Sequence, residues 1–215
     1  MSVTPGGAPR RGPGRPPRAR PGDDAPGTRQ RILVSARAEF GERGYDRASI
    51  RAIARGADVN PALVHHYFGT KEGVFAAAVA AAAAPAARGL PDAGRFPVSE
   101  FGVRFTRFFF GIWEDEATRT PLLAVVRSAL DNEAAARIFQ RFVREELLSR
   151  VAGGLDAPDA ELRAELAAGQ LIGVVLMRYA LRIEPLASAD AEELIGRLAP
   201  VVQHHLTAAP GTAPA

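Results

Sequence analysis

Apolar residues recur at spacings of three and four along almost the whole chain, from Ile32 to Leu206. That is the period of a helix with one buried face. Ile32, Leu33, Ala36 and Phe40 make the first stripe; Thr28 stands where its N-cap belongs, and Gly41 to Gly44 predict its end. Ile50, Ile53 and Ala54 give a short second helix a buried side, with Ser49 as its N-cap. A turn over roughly Gly56 to Val59 follows. Asn60 caps a third helix and Pro61 takes its first position, where a missing N–H costs nothing. Val64, Tyr67 and Phe68 are expected to face inward, which leaves Ala62, Leu63, His65 and His66 pointing out. Thr70 caps a fourth helix, with Lys71 and Glu72 in its first turn and an alanine tract reaching about Ala84. Pro85 predicts a stop or a kink there.

Residues 85–98 read as a loop, and a second helical block starts at Ser99. Phe101, Phe105, Phe108, Phe109, Ile112 and Trp113 share one broad helical face. Thr120-Pro121 is expected to open the next helix, LLAVVRSALDN, with Arg127 inside its apolar run. A charge there needs a partner, and Asp131 at i+4 is the plain choice; an anionic ligand is the other. Residues 133–152 form another helix, and Pro158 marks a break. The last two helices span about Ala160 to Ile183 and Asp190 to Leu206. The former is apolar on more than one side, so it needs a central place or a partner; Gly169 and Gly173 would let another helix come close. The expectation is an all-α chain of about nine helices with no sheet.

Composition narrows the classes. Hydrophobic residues at 47% allow a sizeable core, and no run of eighteen apolar residues is free of charge, so no membrane span is expected. The N-terminus lacks the apolar segment of a signal peptide. Cysteine is absent, which removes disulfides and thiolate metal sites and permits the expected cytoplasmic location. No nucleophile–base pair and no metal constellation is visible. His204 and His205 are adjacent, hence divergent on a helix.

Charge is unevenly spread. Five Arg against two Asp put +3 on residues 1–27. Seven Arg and Lys71, the only lysine, against five acids put +3 on residues 28–73. The remainder holds fourteen Arg against seventeen acids, or −3. A basic front and an acidic back suit a molecule that meets phosphates with one end. Residues 1–27, rich in Pro, Gly and Arg, read as a disordered basic tail. It either lays arginines in a minor groove or serves only as a solubilising tail. Residues 209–215 are expected to be a second disordered tail.

The stretch SIRAIARGADVNPALVHHYF, residues 49–68, has the order of a helix-turn-helix. With ILVSARAEFGERGYD before it and GTKEGVF after it, residues 29–75 resemble the DNA-binding domain of the TetR family of transcriptional regulators. Phe40, Gly44-Tyr45, Ile50, Ile53-Ala54, Val59, His66-Tyr67-Phe68, Lys71-Glu72 and Phe75 carry the resemblance through their order and spacing. Two positions depart from it. Asp58 stands where the family usually has Gly, and Asp can enter the left-handed region; His65 stands where Tyr is frequent.

The resemblance implies a three-helix head over 28–87, including a linking helix, and a ligand-binding and dimerisation body over 88–208. It implies a homodimer through the last two helices, a palindromic double-stranded DNA operator and a small-molecule effector of unknown identity, with no cofactor. Candidate DNA-binding residues are Ser49, Asn60, Pro61, Ala62, Leu63, His65, His66, Tyr67 and Lys71. Tyr67 and Lys71 match positions that commonly hold backbone phosphate in the family. Candidate ligand-binding residues are Phe105, Phe108, Phe109, Trp113 and Arg127, since such pockets are mostly apolar with a few polar groups. The function expected is a repressor released by its effector, not an enzyme. The alternative is a ligand-independent DNA-binding dimer whose body serves only for assembly or protein contacts.

Overall fold

The computed structural model describes residues 26–91 and 96–208. Residues 1–25 of the expected basic tail and the expected tail at 209–215 therefore lie outside the described residues. The described residues are predominantly helical and contain no strand.

Helix α1 spans Pro26–Arg47. It begins two residues before the expected cap, so Thr28 lies inside its first turn and is buried. Pro26 suits that start, because the first helical N–H groups have no partner to lose. The expected end at Gly41 to Gly44 becomes a bend: Gly44 has φ 70° and ψ 174°, and helical structure resumes to Arg47. Only glycine takes that backbone at little cost.

Helix α2 is Ile50–Gly56 and helix α3 is Pro61–Phe68. Ser49 caps α2 by accepting from the Ala52 N–H at 3.1 Å. Asn60 caps α3 by accepting from the Ala62 N–H at 2.9 Å, with Pro61 in the first turn. Each such cap is worth about 1 kcal/mol. Asp58 turns the chain between them with φ 51°, the left-handed state expected of it.

Helix α4 spans Lys71–Gly89, capped by Thr70 through the Gly73 N–H at 3.1 Å. The alanine tract does not end near Ala84. The helix passes Pro85 and adds four more residues to Gly89. An interior proline costs roughly 3 kcal/mol. Packing on both sides of it offsets this: Ala82 and Ala83 are buried, and the Phe108 ring lies against Gly89.

After a single 3₁₀ turn at Val98–Glu100 come α5, Phe101–Glu114, and α6, Glu116–Asp131. Helix α6 starts four residues ahead of the expected Thr120-Pro121, because Asp115 caps it through the Ala117 N–H at 3.1 Å. Helix α7, Glu133–Phe142, continues through a π turn at Val143–Leu148 into α8, Ser149–Ala152, as the single rod expected over 133–152. Helix α9, Ala160–Val175, ends in a second π turn, Leu176–Ala180, short of the expected Ile183. Helix α10 is Ala191–Thr207, capped by Asp190.

Two apolar cores organise these helices. The first joins Ile32, Phe40, Tyr45, Ile53, Val64 and Phe75 to Trp113, Leu122, Val125, Ile138 and Val175. It runs unbroken from α1–α4 into α5–α7 and the end of α9. The second holds Phe101, Phe105, Phe110, Leu171, Leu194, Val202 and Leu206. It closes α5, α9 and α10 on one another. Helices α5 and α10 touch closely: a side chain on Gly102 would overlap the Ala199 carbonyl and Gln203. The Gly102 N–H donates to Gln203 Oε1 at 2.7 Å.

Candidate nucleic-acid interface

The head is built to hold α3 still. Val64 is fully buried, and Tyr67 and Phe68 pack half-buried against the same core. Ala62, His65 and His66 are exposed, while Leu63 is only half-exposed. Ser35 donates to the Ile53 carbonyl at 2.8 Å, which clips α1 to α2. The Arg29 guanidinium lies 5.2 Å from the Phe68 ring centroid. Helix α3 ends at Gly69, φ 73°, whose carbonyl sits 2.7 Å from His65 Nδ1. His66 and Tyr67 meet edge to face at 5.3 Å.

Ser49, Asn60 and Pro61 start helices, and their side chains or rings serve those starts. Ala62, Leu63, His65, His66 and Tyr67 share the single helix α3, and Lys71 opens the next one after Gly69 and Thr70. Lys71 is half-buried. Its Nζ donates to the Asp46 carbonyl at 3.1 Å and lies 4.6 Å from the Tyr45 ring centroid. Tyr45 stacks on Phe40 at 5.9 Å and meets Phe75 edge-on at 5.0 Å. Burial pushes the Tyr45 phenol up to about 12, and the nearby Glu72 charge adds to this. The Glu72 carboxyl is held below its ordinary range by its own backbone N–H and by the Thr70 side chain.

The expected ligand residues are distributed differently. Phe105 is buried in the second core and Trp113 in the first. Phe109 bridges the two cores and lies 5.9 Å from Trp113, while Phe108 covers Gly89. Arg127 does not join them. It is exposed and makes no pair with Asp131. Leu122, Val125 and Val126 set the buried face of α6, and five residues past Leu122 turns the chain about 140° away from that residue. Among the described residues, two surface hollows stand out. One of about 390 Å³ lies between α5 and α10, bordered by Val103, Arg107, Ile195 and Gln203. One of about 130 Å³ lies between α4 and the π turn after α7, bordered by Ala76, Phe142 and Glu145. Neither is lined by the aromatic candidates.

Sequence reasoning missed two polar clusters. Asp46 and Asn132 join the head to the α6–α7 corner, with Asn132 Nδ2 donating to Asp46 Oδ1 at 2.6 Å. The pair Asn132-Glu133 was legible as a helix start, but nothing pointed to Asp46, 86 residues away. Arg178, buried, donates to the Leu186 and Ala189 carbonyls and pairs with Glu114 at 3.0 Å. The Tyr179 hydroxyl also donates to Glu114, at 2.5 Å.

No helix among the described residues is long and apolar enough to cross a membrane. Residues 32–78 match the family described as bacterial regulatory proteins, tetR family. Residues 99–206 match the tetracyclin repressor-like, C-terminal domain. The chain is 34% identical to a TetR-family regulator of known structure from Streptomyces coelicolor A3, over 87% of this chain and 97% of that one, with a TM-score of 0.65. It is 29% identical to the HTH-type transcriptional regulator BetI of Rhizobium meliloti (strain 1021), over 75% of this chain and 82% of BetI. The multidrug binding protein EbrR, solved with ethidium, shares the fold at 24% identity and a TM-score of 0.58, over 81% of this chain and 99% of that one. The chain belongs to the TetR family of helix-turn-helix transcriptional regulators.

Proposed function

We propose that this protein is a repressor that leaves an inverted-repeat operator when a small molecule enters its body. The observation that carries the DNA half is the firmly packed α3, with Ala62, His65 and His66 exposed and Lys71 at the start of the helix that follows. Short exposed side chains at a helix N-terminus can approach base edges in a major groove. Lys71 and Tyr67 would hold phosphate, which fixes the register without reading sequence. Ser49, Asn60 and Pro61 act by placing the starts of α2 and α3.

A helix of eight residues reads too few base pairs to choose a site alone. A two-fold pair of heads solves this by reading both halves of a palindrome. The support for a pair is on α9 and the π turn that follows it. Leu162, Leu166 and Met177 are exposed at 55%, 47% and 41%, and nothing approaches Gly169 or Gly173 between them. Helices α9 and α10 of two copies would cover that strip. The head over 28–87 and the body over 88–208 are then working divisions of one packed chain. Such a regulator works in the cytoplasm and catalyses nothing.

EbrR supports effector control, since a body of like fold is seen there with ethidium. In this chain Phe105, Phe108, Phe109 and Trp113 would line the effector's place once the body opens; Arg127 is withdrawn from that group because it is exposed. The packed aromatics favour a second reading, a ligand-independent dimer. Selecting bound fragments from the genome, footprinting the best one and adding apolar small molecules that do not bind DNA themselves tests all of this. A two-fold footprint that one such molecule releases is the expected result. A footprint without two-fold symmetry would overturn the dimeric reading, and one that no small molecule alters would leave the second.

A further inference from the structure

Asn132 occupies a three-way corner. Its backbone N–H donates to the Ser128 carbonyl at the end of α6, and its Oδ1 accepts from the Ala135 N–H to start α7. Its side-chain amide Nδ2 donates to the Asp46 carboxylate of the head. Asp46 in turn offers its backbone carbonyl to Lys71. One residue of the body is thus two hydrogen bonds from the only lysine in the chain.

We infer that Asn132 and Asp46 form a latch through which the body sets the position of Lys71, so that Asn132 is a positioning residue for DNA binding. The inference rests on the reading that Lys71 grips phosphate. With the latch closed, Asn132 holds the Asp46 carboxylate toward the α6–α7 corner. The Lys71 ammonium then keeps its place between the Asp46 carbonyl and the Tyr45 face. With the latch open, the body no longer holds the Asp46 carbonyl in register, and the ammonium loses its seat between that carbonyl and the Tyr45 face. Gly44 sits two residues before Asp46 with a positive φ, and the bend it makes in α1 carries Asp46 to the α6–α7 corner. A shift of the α6–α7 corner therefore reaches the phosphate-gripping residue without passing through the packed core.

A single lysine makes the test direct. Reductive methylation with ¹³C places one side-chain methyl probe at Lys71, assigned by its loss in Lys71→Arg. In the full-length protein its signal should lie upfield, under the Tyr45 ring. Asn132→Ser keeps a capping oxygen and removes the donor. It should move the Lys71 signal downfield and weaken binding to a genome-selected duplex about tenfold, a typical coupling between linked sites. Asp46→Ala, an exposed change that cannot empty the core, should move the signal by the same amount. The double variant should move it no further. Asp46→Asn keeps the accepting oxygen and should restore the native signal. An unmoved signal in both single variants, or unchanged DNA affinity in Asn132→Ser while Lys71→Ala weakens binding, overturns the latch. If Lys71→Ala itself binds DNA like the native chain, the phosphate role of Lys71 falls, and the inference falls with it.

Discussion

Gly73 lies so close to the Phe68 carbonyl that any side chain there would overlap it. The contact sets the angle between the end of α3 and the start of α4. In an open helix, replacing glycine with alanine gains up to about 1 kcal/mol. Here the overlap must push α3 away from α4. Gly73→Ala should lower the melting temperature and weaken operator binding at least tenfold, both read by thermal unfolding and DNA titration. A higher melting temperature would show that the junction yields freely.

The two side chains proposed to face DNA should give different signatures. Lys71→Ala should weaken binding to every duplex and reduce the salt slope by about one unit. Leu63→Ala should alter the preferred half-site base at a cost of about 1 kcal/mol, the size of one lost base contact. Because Leu63 is half-exposed, this change spares the core. A Leu63 variant with the native base preference would remove that residue from the reading surface.

Tyr45 should make the head sensitive to alkali. Its phenol is raised from about 10 to about 12, so the folded state favours the protonated form. The stability this gives is complete below pH 10 and is lost as pH climbs from about 10 to about 12. The buried hydroxyl has no hydrogen-bond partner among the described residues. Tyr45→Phe should therefore cost little at pH 7 and flatten the loss of melting temperature between pH 10 and 12. An identical alkaline loss in the variant would assign it to Tyr179, whose phenol burial also raises.

The basic N-terminal segment offers a test of its own. Deleting residues 1–25 removes five arginines. If they meet phosphate, the salt slope should fall and binding at low salt should weaken. An unchanged slope measured across a salt series would leave the segment a passive tail.

Arg178 should matter to the body rather than to DNA. It is 8% exposed, and it ties Glu114 at the end of α5 to the carbonyls before α10. Leaving the carbonyls that Arg178 serves without their donor costs about 1–3 kcal/mol, and the half-exposed Glu114 adds little. Arg178→Ala should show that loss in denaturant unfolding, and Glu114→Gln, whose carboxylate is half-exposed, should lose less.

The head was legible because its signals are local. Ser49, Asn60, Thr70 and Pro61 declare helix starts within three residues of the groups they serve, and Asp58 marks its turn. Errors arose where distant packing decides. Pro85 sits inside α4 because the buried Ala82 and Ala83 before it and the Phe108 ring against Gly89 after it outweigh its local preference. Arg127 looked enclosed because its neighbours in sequence are apolar, yet the phase of α6 turns it to water. The link between Asp46 and Asn132 spans 86 positions and leaves no periodic trace.

The open strip along α9 has a consequence for dosage. A lone protomer shows Leu162, Leu166 and Met177 to water, so the proposed pair forms by mass action from exposed halves. When the chain is scarce and mostly single, halving its amount cuts the paired species about fourfold. A cell that dilutes this protein by growth would then lose paired, DNA-binding species faster than it loses protein. The promoter would respond to falling chain number as a threshold rather than in proportion.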